Sequence, residues 1–191
     1  MTLSIDTIEK NWETFSHLVE KCSGESGRNL LDALGDRIAS CPLNMKEDQG
    51  GAYPGGMIES ALEVTMTMRK LVKTLDFSDI NPLSVLKVGL LHDIGKIGDL
   101  NSERFVIQDS EWHIQKLGQM YKYNEDCQKT SVSHGSLFLL QSFSVELTMD
   151  EWLAIQISQG SHFEENRFYV GSEPDLAILL QCAKKIANSK M

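Results

Sequence analysis

From Met57 to Leu75, apolar side chains recur at three- and four-residue intervals: Met57, Ile58, Ala61, Leu62, Met68, Leu71, Val72 and Leu75. That period puts them on one side of a long helix and excludes a strand, whose sides alternate at every residue. The run closes near Asp76. A helix of this length must bury its stripe, so its neighbours have to supply matching stripes. Ile5, Ile8, Trp12, Phe15, Val19 and Cys22 do so over 4–22, with Ser4 placed to cap the start. The SGESG segment, Ser23 to Gly27, breaks the pattern, and Leu30, Leu31, Leu34 and Ile38 resume it until Cys41–Pro42 stops it. A polar, glycine-rich stretch, Asn44 to Gly56, precedes the long helix.

Asn81–Pro82 opens a helix carrying Leu83, Leu86, Leu90 and Leu91 into His92–Asp93, with Gly95 and Gly98 ending it. Between Lys96 and Asn124 the period is weaker. Phe105–Ile107 and Met120–Tyr123 read as short strands or loop, and Ser110–Leu117 as a helical turn. A helix over Ser133–Phe143 follows. Thr148-Met149-Asp150-Glu151 is a capping box opening a helix with Trp152, Ile155 and Ile157. Ser172-Glu173-Pro174-Asp175, read as a cap with an early proline, starts a last helix through Ala187. About seven helices with at most a short β-hairpin predict an all-α, compact multi-helix domain spanning 1–191. Residues 1–43 read as a helical extension packed on a core of 44–191.

Composition narrows the function classes. In 191 residues, 41% hydrophobic and 24% charged side chains suit a folded domain rather than a disordered chain. Eighteen Lys and Arg against 27 Asp and Glu give a net charge of −9, which disfavours a grip on nucleic-acid backbones. The longest apolar runs fall far short of a membrane span. The start MTLSIDTIEK lacks a basic-then-apolar leader, so a cytoplasmic protein is expected. Cys22, Cys41, Cys127 and Cys182 form no CxxC pair and read as reduced, buried thiols. Trp112, Tyr121, Tyr123 and Trp152 read as core or pocket-wall aromatics, and Met57, Met66 and Met68 as core filler. The chain holds no GxSxG or GxGxxG motif.

The chemistry concentrates in Leu90-Leu91-His92-Asp93-Ile94-Gly95-Lys96. An imidazole and a carboxylate at the negative end of an apolar helix form a mixed nitrogen and oxygen donor set that favours a cation. Alone, such a dipeptide is also compatible with a capped core histidine. About thirty residues earlier stands Ala52-Tyr53-Pro54-Gly55-Gly56-Met57-Ile58-Glu59-Ser60, in which Gly55–Gly56 reads as a tight turn rather than a phosphate cradle. Together with LLHDIGK, this segment resembles the HD superfamily of metal-dependent phosphohydrolases, most of all its phage-encoded members. The likeness continues through Ser110–His113, Leu117–Asn124 and Leu147–Gly160, covering roughly residues 45–190.

The resemblance implies a helical HD fold in which a metal-activated water hydrolyses a phosphoester, and a host-cytoplasm location if the chain is phage-encoded. His92 and Asp93 take the metal-binding pair, with Asp93 central to catalysis, and Lys96 takes the basic position that holds a phosphate oxygen. The remaining positions depart from the pattern. The first ligand histidine falls on Ser60, the late aspartate on Lys184, and a further His-Asp pair on Ser158 and Gln159. A hydroxyl is a poor ligand for a divalent ion, and an ammonium repels one. Lys184 is instead placed to pair with Asp93. His162, Glu59 and Glu63 are candidate substitute ligands, and His134 a possible pocket residue.

Two readings follow. One is a degenerate HD protein, metal-free, that binds a nucleotide, another small phosphorylated ligand or a protein partner with weak or no hydrolysis. The other is an active phosphohydrolase using Mn, Mg, Fe or Ni.

Overall fold

The stripe read from Met57 lies at the centre of the molecule as far as Val72, whereas Leu75, just past the helix end, is 58% exposed. The stripe belongs to α2 (Gly56–Thr74), against which α1 (Ile5–Ser40), α3 (Pro82–Leu91) and α7 (Asp175–Asn188) all pack. The computed structural model describes residues 2–160 and 163–189. Helices α5 (Val132–Ser142) and α6 (Met149–Gln156) complete the packing, α6 lying against α3, α5 and α7. Fully buried Phe15, Ile38, Met68, Leu91, Leu139 and Ile155 meet in one core cluster drawn from α1, α2, α3, α5 and α6, which Leu180 joins from α7. The fold is mostly α. A two-stranded antiparallel hairpin pairs β1 (Phe105–Ile107) with β2 (Tyr121–Tyr123), Val106 opposite Lys122, and the short helix α4 (Glu111–Leu117) connects the strands. No helix among the described residues is long and apolar enough to cross a membrane.

The local signals explain most element ends. Ser4 accepts a hydrogen bond from the Thr7 amide, and Asn81 accepts one from Leu83 with Pro82 in the first turn. Thr148 and Glu151 form both bonds of the capping box. Gly55 takes a left-handed conformation (φ 83°) that turns the chain into α2. The SGESG break is a kink rather than a loop: Gly24 alone leaves helical geometry (φ 60°, ψ −138°), and the helix resumes at once.

Several expectations are corrected. Pro174, not Ser172, occupies the cap position of α7 and provides no side-chain bond. Cys182 is exposed and Cys22 only half-buried, so burial of the thiols holds for Cys41 and Cys127. Trp112 and Tyr123 are more than half exposed and Trp152 is also exposed, because each falls on the outward side of a short element, and Met66 is 48% exposed although it belongs to the central helix α2.

The turn after α3 is held by α5. The Gly95 amide donates to Ser136 Oγ at 2.9 Å, and that hydroxyl lies 2.9 Å from the carbonyl oxygens of both His92 and Val132. A β-carbon at Gly95 would collide with the Val132 carbonyl and the Ser136 amide. Gly95→Ala is therefore expected to lose about 3 kcal/mol of stability, as overpacking against unyielding backbone does. Urea denaturation measures it; a loss under about 0.5 kcal/mol, the range of ordinary surface substitutions, would show that the turn can move away from α5.

Candidate functional site

A polar pocket of about 280 Å³ opens where α2, α7 and the turn after α3 converge, and Ser60, Asp93, Lys96, Ser158, Gln159 and Lys184 line it. Ser60 and Lys184, 124 positions apart in sequence, thus face one space. Asp93, 7% exposed, is its hub. Its Oδ1 accepts from Lys184 Nζ at 3.1 Å and Gln159 Nε2 at 2.9 Å, and its Oδ2 lies 3.5 Å from Lys96 Nζ. Lys96 also donates to the Leu43 carbonyl at 2.7 Å, tying the chain before α2 to the turn.

His92 caps the C-terminus of α3 and is buried. Its Nδ1 lies 3.0 Å from the Gly89 carbonyl oxygen, an acceptor only, so Nδ1 carries the proton and Nε2 is bare. Nε2 lies 3.5 Å from Asp93 Oδ1. Burial lowers the imidazole pKa to about 4, against the pull of Asp93, so His92 is neutral at pH 7. Burial alone would raise the Asp93 pKa, but the Lys184 and Lys96 ammonium groups hold it well below the usual carboxylate range. Burial lowers the Lys184 pKa, and Asp93 partly restores it. With His92 neutral, two ammonium groups face one carboxylate, leaving a net charge of +1.

The other candidates lie elsewhere. His134 is exposed on the first turn of α5, with Nε2 3.2 Å from the Gln156 side-chain amide, and does not line this pocket. Glu59 accepts from Tyr53 Oη at 2.6 Å and, with Glu63, lines a neighbouring pocket of about 530 Å³. Neither lines the Asp93 pocket. His162 lies outside the described residues. Leu43, Asn44 and Asn188 belong to the pocket without any sequence signal: a backbone carbonyl has none, and single asparagines in a polar stretch and at a helix end resemble ordinary caps.

The donor set does not fit a divalent metal. Of the four positions that the resemblance implies as ligands, two hold a hydroxyl and an ammonium, and Lys184 Nζ sits against the oxygen that an ion would need. Among the described residues no three His, Cys, Asp or Glu side chains are grouped so as to hold an ion. Compared with models of protein families, with curated proteins and with solved structures, the chain matches none.

Two outcomes test this electrostatic arrangement. Lys184→Ala leaves Asp93 short of a buried partner and should cost about 3 kcal/mol, most of it recovered in Lys184→Ala with Asp93→Asn. Chemical denaturation of the double-mutant cycle reads this; a single-mutant loss near zero would remove the ion pair from the account. Acid should weaken the fold in two steps. The unfolded imidazole takes a proton below about pH 6.5, whereas the folded one resists to about 4, so stability present above 6.5 is lost as pH falls. The loss for this group approaches about 3 kcal/mol near pH 4, and Asp93 extends it below that. A denaturation midpoint unchanged between pH 7.5 and 4.5 would show that His92 does not stay neutral.

Proposed function

We propose that this chain is a degenerate member of the HD superfamily whose pocket, with Lys184 in place of the metal, binds a small phosphorylated ligand and hydrolyses it weakly or not at all. The observation that carries the reading is the 3.1 Å contact between Lys184 Nζ and Asp93 Oδ1. It supplies the positive charge that Asp93 would otherwise draw from an ion, and it does so from the position where the family pattern has an acid. The surplus of one positive charge, in a chain of net charge −9, makes the pocket a local attractor for a small anion. Lys96 and Lys184 offer ammonium donors to phosphate oxygens, and Ser60, Ser158 and Gln159 offer neutral donors beside them. Its 280 Å³ suits a phosphate group with a small substituent better than a whole nucleotide. Without a metal to lower the pKa of an attacking water, and with His92 buried and its pKa lowered to about 4, too weak a base to draw a proton from water, nothing in the pocket activates a nucleophile strongly. We place the protein in the cytoplasm, the host's if it is phage-encoded.

Two measurements test the reading. Calorimetric titration with inorganic phosphate should show saturable binding that survives excess chelator and weakens about tenfold in Lys184→Gln, the loss of one charge-assisted hydrogen bond. Turnover of p-nitrophenyl phosphate with Mn, Mg, Fe or Ni should stay at background. Chelator-sensitive hydrolysis abolished by Asp93→Ala would overturn this in favour of an active phosphohydrolase. Absent phosphate binding, coupled with capture of a defined protein partner lost in Lys184→Gln, would make the pocket a protein interface instead. The reverse engineering is also informative: Ser60→His with Lys184→Asp recreates a His, His92, Asp93 and Asp set. Metal content by mass spectrometry should rise to about one ion per chain before any turnover appears, because catalysis also needs groups around the ligands.

A further inference from the structure

Lys96 also lines a second cleft, of about 370 Å³, between the end of α1, the Cys41–Pro42 turn and the β-hairpin. Its defining residue is Arg104, just before β1, which is only 7% exposed. A guanidinium cannot shed its proton at any physiological pH, so its burial is relieved only by a counter-charge or a full set of hydrogen bonds. Arg104 has neither. Its Nη2 donates to the carbonyl oxygen and the Oγ1 of Thr130, at 2.9 and 3.0 Å, both neutral acceptors. Its Nε is buried with no partner. None of the ion pairs among the described residues involves it. The one acid lining the cleft, Glu103, is exposed and so remains solvated.

A second guanidinium lines the same cleft. Arg37, near the end of α1, donates to the backbone carbonyls of Asp99 at 2.8 Å and Leu100 at 3.0 Å, so no carboxylate neutralises it either. The remaining walls include Pro42, Pro54, Phe105 and the half-buried Tyr121. Two guanidinium groups without acids, set in apolar and aromatic walls, are complementary to an oxyanion on a flat apolar body.

We propose that this cleft binds a small molecule carrying a phosphate or carboxylate group, the oxyanion on Arg104 and Arg37 and an aromatic or similarly flat body against Phe105 and Tyr121. The inference does not rest on the reading of the Asp93 pocket. It is tested in ¹⁵N-labelled full-length protein by following the Arg104 Nε–Hε resonance, assigned through bonds in the wild type and by its loss in Arg104→Gln. Phenyl phosphate, benzoate and inorganic phosphate are titrated against sodium chloride of equal ionic strength. The resonance should move saturably with phenyl phosphate or benzoate and not with chloride, and the tighter of the two identifies the oxyanion. Phenyl phosphate should bind several-fold tighter than inorganic phosphate, since the ring adds apolar contact. Arg37→Gln should weaken binding about tenfold, whereas Lys184→Gln should leave it unchanged. A resonance unmoved by all three anions, or moved as far by chloride, overturns the site. Loss of the response in Lys184→Gln would assign it to the Asp93 pocket and overturn the second site as well.

Discussion

A carboxylate buried in a helical core sets the terms for much of this molecule. Asp93 cannot lie at 7% exposure without cations and donors around it, and the structure draws these from separate parts of the chain: Lys96 from its own turn, Gln159 from just beyond α6, and Lys184 from α7. Meeting that requirement brings the turn after α3 into register with the C-terminal helix across α2. The ion pair need not add net stability over an apolar replacement, because desolvation offsets much of the attraction. What it does link is position: packed on α2, α7 brings the Lys184 ammonium to 3.1 Å from Oδ1.

Lys184 and Arg104, both largely withdrawn from solvent, illustrate different physical situations. Lys184 lies beside its acid, and an ammonium can also respond to burial by a lowered pKa, as the direction of its shift shows. Arg104 has no such response open to it and sits among neutral acceptors with an unpartnered Nε. One charge is balanced within the fold, and the other is not.

How far the sequence discloses this architecture depends on the range over which each signal acts. Helix starts at Ser4, Asn81 and Thr148 are set by bonds within three residues, and all three are visible in the letters. The apolar period of 57–75 likewise belongs to one element. The convergence of Ser60, Asp93 and Lys184 on one pocket was legible only by comparing segments with a family pattern, since no local signal links positions so far apart. Exposure was the least legible property. Trp112 and Trp152 look like core residues by type, yet short surface helices turn them outward, and charged Arg104, a surface residue by type, is buried beneath the hairpin. His134 shows the same limit: a histidine at a helix start carries no indication of which neighbour it will face, and here that neighbour is Gln156.

The Ser136 hydroxyl, bonded to the Gly95 amide and close to the His92 carbonyl, has a consequence for how this scaffold can vary. It anchors the backbone on both sides of Asp93 through atoms that take no part in the carboxylate's charge balance. The turn therefore keeps its shape whether the counter-charge arrives on a side chain or by some other route. A frame built in this way separates the placing of a reactive group from the use made of it, so that substitutions on distant helices can retask the pocket without rebuilding the turn at its centre.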